Sequence, residues 1–576
     1  MTREAPAVRS SIFVIAATIA LGCTPKVNGP PNPADYPRTR PELTGDRETS
    51  HYADVRQFLD SLKELGAPFS FGSIGKTSEG RDIPFVVASR PRVSSASDAK
   101  ALGRPIVYIQ GNIHAGEVEG KEALLALLRD LAFSIGPDVL DSVVLIAVPI
   151  YNADGNERFA PQAINRSEQN GPESVGTRAN AQNFDLNRDY VKAEAPETRA
   201  SLAMFDTWDP DVFVDLHTTD GSFHGYALTY SPSLSPAAVF GGVYARDSLL
   251  PVLRDRMRTR NGFEIFDYGN FISDERNLVS DTTVHEAWAT YDSRPRFGTN
   301  YFGIRGRIAI LAEAYSHDPL ARRIASTRAF VNEILSLVAE KGNAIRSLSA
   351  RADSLPLAWG RSPDSLQMVA IRSELIATPQ MMDVLREDVE NTGDSALTQP
   401  GVPLGRRRTG RIRPVRMPVY DRFTSTLDRT PPAAYVIAPR DSAVVNLLRL
   451  HGLRVDLSDS AWRARGEAYL IDSVIVASRP FQGHREVRLK GHWQRGMQAL
   501  PPRSFIVSTA QPRGALAVYL LEPESDDGLA TWNFFDSSIR KGARFPVTRI
   551  FDLSRRGRSL NQRSSIAASL LTSPPN

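Results

Sequence analysis

Residues Ile106–Leu128 read IVYIQGNIHAGEVEGKEALLALL. Ile106, Val107, Tyr108 and Ile109 have the β-branched and aromatic content of a buried strand, and at Ala123, Leu124, Leu127 and Leu128 the apolar spacing becomes that of an amphipathic helix. The glycine turn between them carries His114 and Glu117. An imidazole and a carboxylate at i and i+3, on the turn into a helix, can point the same way and offer two ligands to one Zn²⁺, which takes N and O donors at about 2.0–2.2 Å. Taken alone, the pair equally describes a capped helix start with a surface His and Glu. The rest of the chain decides between the two.

Working outward, the apolar run Val143–Ile150 is followed by Asn152-Ala153-Asp154-Gly155, Val212–Leu216 by His217, and Ile308–Leu311 by Glu313. Apolar runs alternating with helices such as Lys121–Phe133 predict an α/β fold with a mixed, largely parallel sheet flanked by helices. In such sheets ligands bind beyond the carboxyl ends of the strands, where these polar residues fall. Two His and one Glu (His114, Glu117, His217) make a three-ligand zinc site with a fourth position open for water, the arrangement of a catalytic metal. Glu313 is then the natural general base beside it. Asp215, two residues before His217, is a candidate to orient that imidazole.

The order HxxE, NxDG, LNRD, DLH and a late Glu resembles the zinc carboxypeptidase family of metallopeptidases, over roughly residues 50–345. The resemblance implies one zinc per chain on His114, Glu117 and His217, with Glu313 as base and proton shuttle. It also implies that Asn187 and Arg188 grip the terminal carboxylate of a peptide, a task suited to the bidentate guanidinium. Arg178 is the candidate for stabilising the oxyanion, with Arg166 as its competitor, and Tyr291 for capping the substrate, with Tyr301 as its competitor. Asp189 stands where better known members have Asn. The implied activity is hydrolysis of the C-terminal peptide bond. An N-acyl amino acid amidase on the same fold, and an inactive peptide-binding surface lipoprotein, are the alternatives. Arg294, Arg296 and Arg305 hint at an acidic terminal residue, and His224, His285 and His317 read as packed or surface residues. The stretch LEPESDDGLATWNFFD, residues 521–536, resembles one that accompanies this unit in bacterial secreted members, and no role attaches to it.

A chain of 576 residues, 41% hydrophobic and 23% charged, holds ordinary globular units and excludes bulk disorder. Net charge is +4 with both signs interspersed, so no nucleic-acid footprint is present and nucleic acid is not an expected partner. The single cysteine, Cys23, excludes a disulfide framework and a cysteine-rich zinc finger. Arg3 and Arg9 precede the apolar run Ile12–Leu21, and Ala20-Leu21-Gly22-Cys23 resembles a bacterial lipobox. Export across the inner membrane and a lipid anchor at Cys23 in the cell envelope are therefore expected. The predicted order is a signal peptide (1–22), a Pro-rich tether (23–49), a zinc peptidase domain (50–348) closed by a helix from Ala321 to about Leu348, and a linker region (349–430). A smaller β-rich domain (431–552) and a tail (553–576) follow. The basic cluster GVPLGRRRTGRIRPVR, residues 401–416, reads as a solvated loop, and the runs Tyr435–Ile437, Ala468–Leu470, Val474–Ala477, Phe505–Ser508 and Leu516–Leu521 as strands.

Overall fold

A hairpin of β1 (Phe69–Lys76) and β2 (Asp82–Ala88) opens an eight-stranded sheet continued by β3 (Ile106–Gly111), β4 (Val144–Val148), β5 (Val212–Thr218), β6 (Leu228–Pro232), β7 (Ile265–Asp267) and β8 (Ile308–Ala314). The strand order is β1-β2-β4-β3-β5-β8-β6-β7. Pairs β3–β4, β3–β5, β5–β8 and β6–β7 are parallel, and the other three are antiparallel. The sheet is thus mixed and largely parallel, and its central strands are buried throughout. The structure, a computed structural model, describes Met1 and residues 32–136, 138–273, 286–359, 367–393, 402 and 405–553. Cys23, the apolar run before it, His285 and nearly all of the expected tail lie outside the described residues.

Alternate side chains of β3 enter different cores, as the period of a strand requires. Val107 and Ile109 pack with α1 (Tyr52–Glu64), through Val55, Phe58, Leu59 and Leu62, and with α2 (Glu119–Ala132), through Leu124, Leu125, Leu127 and Leu128. Tyr108 points the other way, into a core with Tyr190, Phe205, Phe213 and Phe302. The first core is completed by a long helix, α3 (Leu320–Trp359). It runs eleven residues past the expected Leu348, and its final turn buries Pro356 and Trp359. Packing drives this extension, because Trp359 belongs to the same core as the C-terminal segment.

Two compact units divide the chain, Met1–Tyr36 and Pro37–Asn576. In the first, Asn32 caps a single 3₁₀ turn, Pro33–Asp35. In the second, part of the expected tether is ordered. Thr39 caps a short helix, Arg40–Thr44, and Thr49 and Ser50 direct a hydroxyl and a backbone N–H to the buried Glu122 carboxylate, each at 2.7 Å. Composition hid this, because the ordering comes from a charge on α2 that needs partners once buried.

The region expected as a linker also folds. Val369–Ile376 pairs with Arg422–Arg429, and Met382–Asn391 with Arg406–Met417. The second pair is a two-stranded ribbon whose Arg406–Met417 strand is largely exposed and contains most of the basic cluster, so that cluster is strand rather than loop. Its arginines face acids across the ribbon, Arg411 and Arg413 both on Asp388 at 2.7 and 2.9 Å, and Arg408 on Glu387 at 2.7 Å.

The C-terminal sheet has six strands, in the order Asp456–Leu457, Phe505–Ser508, Ala434–Ile437, Arg544–Ile550, Trp462–Val476 and Val487–Leu500. The two runs expected at Ala468–Leu470 and Val474–Ala477 form one strand of 15 residues. Leu516–Leu521, expected as a strand, is the body of the helix Gly514–Leu521. Its residues are buried on every side, and total burial erases the periodicity by which a helix is told from a strand.

Candidate active site

The end of β3, the start of α2 and the end of β5 meet almost backbone to backbone. A Cβ on Gly111 would stand 2.9 Å from the Gly120 carbonyl carbon, and one on Gly120 would stand 2.7 Å from Leu216 Cβ. This close crossing brings Glu117 beside His217 although 100 residues separate them. Asn112, in the left-handed region at φ 65°, turns the chain out of β3 toward His114.

Nδ1 of His114 lies 2.9 Å from Glu117 Oε1, Nδ1 of His217 lies 2.9 Å from Glu117 Oε2, and the two Nδ1 atoms are 3.2 Å apart. All three side chains are buried. Each ring's other nitrogen faces a carboxylate. His114 Nε2 is 3.0 Å from Asp185 Oδ1, and His217 Nε2 is 3.1 Å from Asp215 Oδ2, the latter an ion-pair contact outside hydrogen-bond alignment. Gln110 donates to the other oxygen of Asp215 at 3.0 Å. A proton on each Nε2 is therefore favoured, and both Nδ1 lone pairs converge on the Glu117 carboxylate. Three acceptors at such separations repel one another unless a cation lies among them, and two imidazoles with a carboxylate suit zinc. The residues present fit the metal. Burial opposes the charge on Glu117, but His114 and Arg166 outweigh it and hold its pKa well below the usual range.

Glu313 is next to the last residue of β8 and in register with His217 on the adjoining parallel strand, so the two side chains leave the sheet on one face. Burial raises its pKa well above the carboxylate range, with Glu117 and Asp220 adding to the effect and His217 opposing it.

The stretch after Asp185 carries the two residues expected to hold a chain end. Asn187 accepts the Gly298 N–H at 2.9 Å, and the Arg188 guanidinium lies 4.0 Å over the Phe297 ring while donating to the Asn187 carbonyl at 2.8 Å. Among the described residues Arg188 has no carboxylate within ion-pair distance. Asp189 is buried and accepts the N–H groups of Glu194 and Ala195, closing the following turn. Tyr291 packs edge-on against Phe297 at 5.1 Å and Tyr268 at 5.7 Å, and its buried hydroxyl has no hydrogen-bond partner among the described residues. Its competitor Tyr301 is committed elsewhere, donating to His451 Nδ1 at 2.7 Å in the core.

Both candidate arginines lie near Glu117. Arg166 is buried, 3.1 Å from Glu117 and donating to the carbonyls of Thr218 and Thr219. Arg178 is half-buried, with Nε on Asp185 at 3.0 Å and a terminal nitrogen 3.4 Å from Glu117. Asn152 ties these parts together by donating to the carbonyls of Ile113 and Arg178 at 3.2 Å each. The arginines expected to favour an acidic substrate are spent within the protein. Arg305 is 2.6 Å from Asp206, Arg296 is 2.6 Å from Asp527, and Arg294 pairs with Asp292. Sequence reasoning missed Asp185, Tyr268 and Phe297, whose roles depend on contacts across distant segments and leave no local pattern.

Residues 55–238 match the zinc carboxypeptidase family model, a span that includes His114, Glu117, Arg178, Asn187, Arg188 and His217 and ends before Tyr291 and Glu313. Carboxypeptidase 2 of Trichophyton rubrum is 22% identical over 568 residues, covering 94% of this chain and 90% of its own. Carboxypeptidase D of Mus musculus is 30% identical over 213 residues, covering 34% of this chain and 14% of its own. Among solved structures, a metallo-carboxypeptidase from Burkholderia cenocepacia aligns with a TM-score of 0.37 at 18% identity, over 50% of this chain and 69% of that one. Over residues 55–238, this chain is thus similar to the zinc carboxypeptidase family.

Proposed function

We propose that the protein is a zinc-dependent carboxypeptidase that removes the C-terminal residue of peptides. The observation that carries this reading is the short span from Asp185 to Arg188. One end braces a candidate metal ligand, and the other presents a guanidinium that lacks a carboxylate partner among the described residues. These four residues form a 3₁₀ turn and its cap, which advances about 2 Å per residue. A carboxylate held by Arg188 would therefore lie close to the metal ligands, since the neighbouring Asn187 already reaches His217 at 3.5 Å, and this favours cleavage at the chain end.

Zinc, when bound, supplies Lewis acidity toward a water molecule and the peptide carbonyl. The remaining work falls to the chain. His114, Glu117 and His217 hold the ion, while Asp185 and Asp215 keep the two rings in place. Glu313 takes the proton from water and returns it to the departing amine. Arg178 is the better candidate to meet charge developing on the carbonyl oxygen, because part of its side chain is exposed whereas Arg166 is occupied by backbone carbonyls. Tyr291 borders the space between Arg188 and Glu313 and is suited to closing over the terminal residue.

Amidating a good peptide substrate at its C-terminus is expected to lower kcat/KM by a factor corresponding to about 2–5 kcal/mol, the cost of unpairing a buried charge. Arg188→Ala should remove the distinction between free and amidated ends. Equal cleavage of both peptides by the wild-type protein, or preference for N-acyl amino acids, would overturn the carboxypeptidase assignment. The anchor at Cys23 is proposed on the lipobox-like sequence alone, and a Cys23→Ser protein that stays in the membrane fraction would count against it.

A further inference from the structure

The stretch LEPESDDGLATWNFFD acquires a role from what Asp527 touches. Asp527 is fully buried and accepts from Arg296 through its backbone N–H at 2.7 Å and through Nε and a terminal nitrogen at 2.9 and 2.6 Å. Trp532 donates its indole N–H to the same carboxylate at 2.9 Å and lies under the Arg296 guanidinium at 4.5 Å. Glu486 accepts the other terminal nitrogen at 2.8 Å. Arg296 is thus held along its backbone and its whole guanidinium by residues at least 190 positions away. The next two residues are Phe297, which lies under Arg188, and Gly298, whose N–H fixes Asn187. A second contact, from the hairpin that also carries Glu486, reaches the start of the Asp185–Arg188 turn, where Gln482 accepts the Asp185 N–H at 3.2 Å.

We propose that Asp527, assisted by Glu486, is a positioning residue for recognition of the substrate's terminal carboxylate: by locking Arg296 it sets Phe297 and Gly298, and through them Arg188 and Asn187. The C-terminal segment is then part of substrate recognition. This rests on the reading of Arg188 as the carboxylate clamp. The side chain of Asn in place of Asp527 would turn an amide N–H toward donors, leaving part of Arg296 without an acceptor and freeing the platform beneath Arg188.

The test uses the full-length protein with Asp527→Asn and, separately, Glu486→Gln. For Asp527→Asn, KM for free-carboxylate peptides is expected to rise roughly tenfold, equivalent to losing about one charge-assisted hydrogen bond. The turnover number, zinc content and cleavage of amidated peptides should change little. Calorimetry on zinc-free protein with a free-carboxylate dipeptide should show the same weakening, and Glu486→Gln a smaller one. Should Asp527→Asn fail to fold, Glu486→Gln decides, because it leaves the buried carboxylate intact. Folded variants that keep the wild-type KM and preference for free ends would overturn the proposal, as would a fall in turnover caused only by zinc loss. A wild-type protein indifferent to amidation would instead remove the clamp itself, and both readings would fall together.

Discussion

Asp185 and Asp215 would do for a metal held by the two histidines what the rings cannot do alone. An imidazole free to rotate or change tautomer is a poor ligand, and a carboxylate on its far nitrogen fixes both. Asp185→Ala or Asp215→Ala is therefore expected to weaken zinc binding about 10–100-fold, measured by competition with a chelator. Glu313→Gln should keep the metal and lose about 10²–10⁴-fold in turnover, since the amide cannot take a proton from water. If Glu313→Gln sheds zinc as readily as His114→Ala, Glu313 is a ligand rather than a base. The candidate ligands were legible in the sequence because each stands just past an apolar run, at a spacing with chemical meaning. Asp185 was not, because its contact with His114 spans 71 positions and depends on how two loops lie. The choice between Tyr291 and Tyr301 likewise waited on the core, where a buried histidine claims the Tyr301 hydroxyl.

The hairpin between the two longest C-terminal strands meets the loop after Asp185 at two points, Gln482 and His484. His484 Nε2 lies 3.0 Å from Glu194, and its Nδ1 lies 3.1 Å from Asn533 Oδ1. The hydrogen bond to Glu194 raises the His484 pKa, against burial and the nearby Lys192. Burial pushes Glu194 up, but His484 outweighs it and the net direction is down. A raised histidine stabilises the fold fully below its unfolded value of 6.5 and loses the effect as pH rises through its folded value. A lowered glutamate stabilises above its unfolded value of 4.5 and loses the effect as pH falls through its folded value. The stability advantage of wild type over His484→Gln should thus peak between pH 4.5 and 6.5 and amount to about 1 kcal/mol or less. Denaturant melts across pH measure it, and a pH-independent difference would show that the pair carries no charge. No such contact is readable from FQGH. The strands on either side were only partly legible, because alternating polar residues broke one 15-residue strand into two apparent ones.

At the scale of the whole molecule, the division into a peptidase domain, a linker and an accessory domain does not describe how the protein is held together. One continuous core joins Tyr190, Tyr301 and Phe302 to Trp359, Tyr435, Leu516 and Trp532. Composition could not reveal this, since a shared core and two separate cores require the same apolar residues. A fragment of residues 37–359 would expose several of these side chains, each worth about 1.5–3 kcal/mol of burial. It is expected to be insoluble or to lack a cooperative thermal transition in calorimetry. A soluble fragment with a sharp transition would show that the peptidase unit folds alone.

The arginine-rich ribbon has a different consequence. Arg406–Met417 pairs with Met382–Asn391, whose far side is met by the backbone of Phe223 and Gly225, so the open row of backbone donors and acceptors, an invitation for another chain to add a strand and begin an aggregate, runs along the arginine-rich strand. Guanidinium groups crowded along Arg406–Met417, with Asp383, Glu387, Asp388 and Glu390 opposite them, make such an addition costly because an incoming strand would have to strip water from charges already satisfied at home. The basic run that reads as a solvated loop in the sequence is, in the fold, a charged strand edge of the kind that resists the addition of another chain.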